Sequence, residues 1–206
     1  MGDPERMRER HGTYLRVKRG LDIALTVAAM PIVGPVIGVC AIAIKLDTRG
    51  PIFFVQDRLG LDGRIFRMYK LRTMVANAEE LKAATLDERT VHFKTLDDPR
   101  ITRVGRILRR TSLDELPQLF NVLRGDMSIV GPRPTSLNLV AYEPWHAARL
   151  EVRPGLTGIW QIHGRNQTTF EERVRMDIEY IENLSLLHDL KLMAQTVGVV
   201  LRGKGA

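Results

Sequence analysis

The chain has a single cysteine, Cys40, so no internal disulfide forms and a reducing compartment fits. Aromatic residues are scarce, at 6%, which argues against a stacking platform for single-stranded nucleic acid. The five histidines, His11, His92, His146, His163 and His188, are scattered, and none has a second ligand at metal spacing, which argues against zinc. Internal repeats and low-complexity tracts are missing. One absence is local: from Ile23 to Ile44 there is no charged side chain.

What remains is an ordinary globular composition with a basic bias. The chain is 206 residues long and 44% apolar, enough for one domain with a buried core. A net charge of +7 and a pI near 9.9 point to anionic partners: nucleic acid, phosphate-bearing substrates or an acidic membrane surface.

Residues 1–15 form a basic amino-terminal extension, and 16–206 read as a single domain. The uncharged run suits a signal peptide least, because no small-residue cleavage site ends it before Lys45. As a helix rising about 1.5 Å per residue it would reach roughly 30 Å, enough to cross a bilayer. Pro31 and Pro35, with Gly34 beside the second, sit at its centre and predict a kink or break. Basic residues flank it on both sides, Arg16, Lys18 and Arg19 before and Lys45 and Arg49 after. Both flanks then favour the cytoplasmic face. A spanning helix and a helix that dips into one leaflet and returns, over about residues 20–46, both stay open.

Residues 50–74 read as a β-hairpin with a basic face, turning at Gly60 to Gly63. Lys70 and Arg72 lie at its exit, where a solvated strand end is the plainer meaning. Residues 75–100 begin with a helical pattern and become irregular and polar, with a turn at Asp98-Pro99.

The chemistry concentrates in RRTSLDELPQLFNVLRGDMSIVGPRP, residues 109–134. Two adjacent carboxylates, Asp114 and Glu115, lie between Arg109 and Arg110 on one side and Arg133 on the other. Ser112 and Glu115 fit a capping box, while a start at Asp114 would instead place Pro117 in the first turn. Either start puts both carboxylates at a helix amino terminus, where negative charge is stabilised. Capping alone would explain an isolated Ser-Leu-Asp-Glu. The prolines around Arg133 stiffen its segment, and a guanidinium fork matches phosphate oxygens. The carboxylate pair, the arginines around it and the lack of zinc ligands together suggest phosphate chemistry, in which one carboxylate could hold Mg²⁺ and the other attack phosphorus.

After Pro134, VRPGLTGIWQIHGRN places Arg153, Arg165 and Asn166 among glycines that let a ligand approach, around a β-prone core at Ile159 to Ile162. Surface loops are the plainer alternative. Residues 168–183 read as a helix with a charged, solvated face. Leu186, Leu190, Met193, Val197 and Val200 form an apolar stripe suited to a core or to a helix lying on a membrane.

Taken together these blocks resemble the bacterial sugar transferase family, the monotopic polyprenyl-phosphate hexose-1-phosphate transferases. The matching motifs include KRGLD at 18–22, GPIFFVQDRLG at 50–60, YKLRTM at 69–74, the long block at 98–134 and VRPGLTGIWQIHGRN at 152–166. The resemblance covers nearly everything after residue 15 and fits the minimal, catalytic-only form.

It implies a mainly helical α+β fold: a re-entrant helix-break-helix, a small β-hairpin or sheet and amphipathic interfacial helices. It implies an enzyme at the cytoplasmic face of the bacterial inner membrane. That enzyme moves a sugar 1-phosphate from a UDP-sugar to undecaprenyl phosphate and releases UMP, the first membrane step of glycoconjugate synthesis. Asp114 is then the nucleophile, Glu115 helps bind Mg²⁺, and Arg109 and Arg133 contact phosphate. Lys70, Arg72, Arg153, Arg165 and Asn166 are weaker substrate contacts. Where the family breaks its helix at Ser-Pro, this chain has Gly34-Pro35. The lipid bilayer is an expected partner, nucleic acid is not, and downstream glycosyltransferases and a second copy of the chain stay open. The competing expectation is a membrane-tethered basic module without catalysis; the carboxylate block has no explanation under it.

Overall fold

The computed structural model describes residues 4–78, 80–81, 98–135, 143–163 and 168–201. The fold is mostly helical. Helix α1 spans Pro4–Asp47. The hairpin follows, β1 at Phe53–Leu59 and β2 at Ile65–Leu71. Next come α2 (Arg103–Thr111), α3 (Gln118–Arg124) and β3 (Ser128–Val130). Then follow β4 (Gly155–Thr157), α4 (Ile159–His163), α5 (Phe170–Glu182) and α6 (Leu186–Leu201).

Helix α1 is continuous through Pro31 and Pro35. The expected interruption at Gly34-Pro35 is therefore absent at the level of secondary structure. Helical segments at membrane depth tolerate proline because local adjustments reabsorb the freed carbonyls. The stretch His11–Asp47 has a mean hydropathy of 2.4 in its most apolar window and is long enough to cross a bilayer. Its outward side chains include Ile32, Val39, Ile42 and Leu46, each more than 60% exposed.

Both halves of α1 dock on the same globular body. In the first half, Lys18 Nζ and Tyr14 Oη each donate to Asp189 Oδ2 at 2.8 Å. Arg19 donates to the carbonyls of Val122 and Leu123 at the end of α3, satisfying orphan acceptors there. Asp22 accepts from Ser128 Oγ at 2.8 Å and from the Ile129 amide at 3.1 Å. In the second half, Ile37, Cys40 and Ile44 form a core cluster with Leu71 of β2 and Leu108 of α2. Each such large aliphatic contributes about 1.5–3 kcal/mol when fully buried. Asp47 Oδ2 accepts from the Val104 amide at 3.0 Å.

The expected hairpin forms, its strands antiparallel, with Phe53 opposite Leu71 through Leu59 opposite Ile65. Its buried face, Phe66 and Met68, packs on Val122 and Met127. Asn121, wholly buried, accepts from the Tyr69 amide and donates to the Arg67 carbonyl at 2.7 Å. It engages β2 as another strand would and holds the hairpin against α3.

Strands β3 and β4 pair in parallel, Ser128 with Gly155 and Val130 with Thr157. The expected strand at Ile159 to Ile162 is instead α4, and the strand lies just before it. Glycine decides the shift. A Cβ on Gly155 would stand 2.1 Å from the Gly131 nitrogen, so this close backbone approach requires glycine. The apolar stripe of α6 is divided. Met193 packs on the core beside buried Leu192, a residue outside the stripe, while Leu190 and Val197 are 53% and 58% exposed.

Candidate active site

The capping box at Ser112 does not form. Ser112 adopts a left-handed conformation, φ 57°, and closes α2 instead; its amide donates to the Arg109 and Leu108 carbonyls. Leu113–Glu115 then makes one 3-10 turn, and α3 begins only after Pro117. Two preferences are met at once: α2 needs a left-handed terminator, and Pro117 needs no amide partner at the start of α3. The tight turn points Asp114 inward, 6% exposed, while Leu113 and Leu116 pack on the α1 cluster.

Glu115 is the hub. Its Oε1 accepts from Lys70 Nζ at 2.9 Å and from an Arg133 guanidinium nitrogen at 2.6 Å. Its Oε2 accepts from the other Arg133 nitrogen at 3.3 Å, a two-pronged fork. Burial works against the Arg133 charge, but the Glu115 carboxylate outweighs it and raises the guanidinium pKa, with Asp114 adding to the effect. Arg109 is pulled the other way. Burial lowers its pKa, while Asp114 and Asp98 oppose that fall. Asp98 is held below the usual carboxylate range by hydrogen bonds from Arg100.

The backbone of Arg133 is fixed from two sides. The Gly131 amide donates to the Thr157 carbonyl at 2.9 Å, and the Gly155 amide to the Pro132 carbonyl at 2.8 Å. Arg149 donates to the Arg133 carbonyl at 3.1 Å and pairs with Asp177 at 2.5 Å. The Arg133 guanidinium lies 5.8 Å from the Trp160 ring centroid. A buried carboxylate, a forked second carboxylate and converging cations suit attack on phosphorus in an anionic substrate. A cleft of about 450 Å³ elsewhere, lined by Glu143, Trp145, Glu171 and Arg175 among others, shares no residue with this cluster.

The profile of the bacterial sugar transferase family matches residues 13–203. The chain belongs to this family. Among similar proteins, the galactosyl transferase CpsE of Streptococcus agalactiae is 44% identical over 94% of this chain, which spans 44% of that relative. The undecaprenyl-phosphate galactose phosphotransferase of Salmonella typhimurium is 41% identical over 92% of the chain, which spans 41% of it. The exopolysaccharide production protein ExoY of Sinorhizobium fredii is 39% identical over 92% of the chain, here covering 87% of the relative. The chain thus spans less than half the length of the first two relatives.

The structure brings Lys70, from the 69–74 motif, and Arg133, from the long block, onto Glu115. Asp114 sits close enough to act electrostatically on both Arg109 and Arg133. Arg72 goes elsewhere: it donates to the carbonyls of Thr48 and Arg49 just past α1. Arg153 donates to the Gly125 carbonyl at the end of α3, 2.9 Å away. Arg165 and Asn166 lie outside the described residues. Sequence reasoning passed over Arg149, Trp160 and Arg173. Trp160 lies inside the matched block at 152–166, while Arg149 and Arg173 lie outside the matched blocks and carried no signal beyond their charge.

No cluster of three or more His, Cys, Asp or Glu side chains able to hold a metal occurs among the described residues. The donor set still fits magnesium, which is commonly held by one or two carboxylates together with substrate phosphates. Glu115 Oε2 accepts the longer Arg133 contact, 3.3 Å, and a carboxylate oxygen can accept from more than one partner.

Proposed function

We propose that this chain is a phosphoglycosyl transferase. It moves a sugar 1-phosphate from a UDP-sugar to undecaprenyl phosphate and releases UMP. The observation that carries the reading is the Lys70–Glu115–Arg133 fork beside buried Asp114, placed against the second half of an apolar helix. The names of the related undecaprenyl-phosphate phosphotransferases support the same reaction class. In the first step an Asp114 carboxylate oxygen attacks the sugar-bearing phosphorus. The phosphoanhydride bond breaks, and UMP departs with the electron pair. In the second step an oxygen of the lipid phosphate attacks the same phosphorus, and the Asp114–phosphorus bond breaks to restore the carboxylate. Arg109 and Arg133 orient the phosphoryl oxygens and stabilise their charge. Lys70 and Arg133 hold Glu115 in place. Magnesium, bound through Glu115, would offset diphosphate charge.

The same reading makes the chain monotopic at the cytoplasmic face. Its support is that Asp22 and Asp47, near opposite ends of the apolar run, both bond to one globular body. A helix crossing between them would carry one of those contacts to the other side of the bilayer. The exposed side chains of Leu190 and Val197 on α6 suit the interface as well. The test is incubation of the intact protein with Mg²⁺, undecaprenyl phosphate and a panel of UDP-sugars. UMP release is expected with at least one donor; no UMP from any of them sinks the reading.

A further inference from the structure

Arg173 stands out among the cations around the candidate site. Its Nε donates to Thr168 Oγ1 at 3.2 Å, and its guanidinium lies 4.9 Å from the Trp160 ring centroid. The same ring carries Arg133. Trp160 is thus a platform for two guanidinium groups. The neighbouring arginines are committed: Arg133 is forked to Glu115, and Arg149 is paired with Asp177. Among the described residues Arg173 has no ion pair, and its two terminal nitrogens have no hydrogen-bond partner. Nor are those nitrogens buried orphans, so the fork is open to solvent while its stem is clamped. Burial, then repulsion from Arg133 and Arg149, pull its pKa down. An incoming anion would relieve that repulsion. A planar fork held on an aromatic ring, uncommitted and beside the arginine of the carboxylate site, is preorganised for phosphoryl oxygens.

We infer that Arg173, seated on Trp160, binds the nucleoside-side phosphate of the donor, the phosphate that leaves as UMP. Arg133 and Arg109 are left for the sugar-bearing phosphate one bridging oxygen away. This rests on the transferase reading above. The donor's diphosphate would therefore be gripped at both phosphoryl groups.

The test uses the full chain in nanodiscs. UMP binding is measured by calorimetry, alongside KM for the UDP-sugar and for undecaprenyl phosphate. Arg173→Gln should weaken UMP binding and raise the donor KM about tenfold, the loss of one charge-assisted contact. Its KM for the lipid should stay within about twofold. Arg173→Lys should recover part of the loss, since charge returns without the fork. Thr168→Val, which frees the guanidinium stem, should give a smaller loss of the same kind and covers the case in which Arg173→Gln does not fold. UMP binding unchanged in these variants, or a rise confined to the lipid KM, overturns the assignment. If the wild type binds no UMP and releases none from any UDP-sugar, the transferase reading falls and this assignment with it. A fully active wild type with an indifferent Arg173 removes only the latter.

Discussion

The fork at Glu115 makes a prediction whose sign depends on the order of mutation. Exposed ion pairs contribute about 0–1 kcal/mol, whereas stripping one partner from a buried pair costs about 3–5 kcal/mol. The Lys70 and Glu115 side chains are 14% and 16% exposed, and Arg133 is similarly sheltered at 19%. The triad therefore belongs near the buried end. Lys70→Met leaves Glu115 still forked by Arg133, so the loss should be about 1 kcal/mol. Glu115→Gln strands two cations that had shared one carboxylate, and should cost about 3 kcal/mol. In the Glu115→Gln background, Lys70→Met then removes a like-charge neighbour of Arg133. There it should be neutral or stabilising, by up to about 1 kcal/mol. The assay is denaturant unfolding in detergent, followed by the fluorescence of the two tryptophans, Trp145 and Trp160. Equal destabilisation by Lys70→Met in both backgrounds would falsify the shared-carboxylate geometry.

Asp114→Asn should abolish UMP release and leave the unfolding midpoint near that of the wild type; a fully active variant removes Asp114 from the nucleophile role. Burial pushes the Asp177 carboxyl up to about 7, against the lowering pull of Arg149. The folded state therefore keeps a proton that the unfolded chain has released, so this group's stabilisation is full below about pH 4 and lost as pH rises through about 7. Relative to Asp177→Asn, wild-type stability should fall across that window, and a difference that grows with pH refutes the reasoning. Gly105→Ala should destabilise by about 2–3 kcal/mol, because its Cβ would stand 2.0 Å from the Thr73 carbonyl oxygen; an unchanged denaturation midpoint would show that this crossing is looser. Single cysteines at Gly12 and Arg64, in a Cys40→Ser background, should label from the same membrane face, and opposite-face labelling rules out the monotopic arrangement.

Some features were legible because they depend on neighbours in the chain. The hairpin from residue 53 to 71 follows from β-prone runs flanking Gly60–Gly63. Helix α5 begins where Thr169 and Glu172 form a capping box. Local patterns failed where a distant partner set the outcome. Ser112 carries a capping-box signature, yet it terminates α2, because the close of one helix and the proline at the start of the next compete for the same residues. Ile159 to Ile162 is β-prone and forms a helix, because the pairing partner of β3 is chosen by the glycines that let two backbones approach.

The site divides the same way. The sequence by itself determined which groups are available: the Asp114–Glu115 pair, the arginines around it, an uncharged run from Ile23 to Ile44, and the family to which these motifs belong. It left Lys70 and Arg72 equivalent at a strand exit. Only the tertiary structure separated them: two residues apart, they would share a face if the strand ran on, but β2 ends at Leu71, so Lys70 points from the strand while Arg72 lies just past its end. Asn121 holds β2 so that Lys70 meets the carboxylate, while Arg72 reaches the carbonyls that follow α1. The grouping of Arg133 and Arg173 on one Trp160 ring is likewise tertiary. Charges so far apart in the chain meet only when the β3–β4 pairing and the packing of α5 have set their backbones.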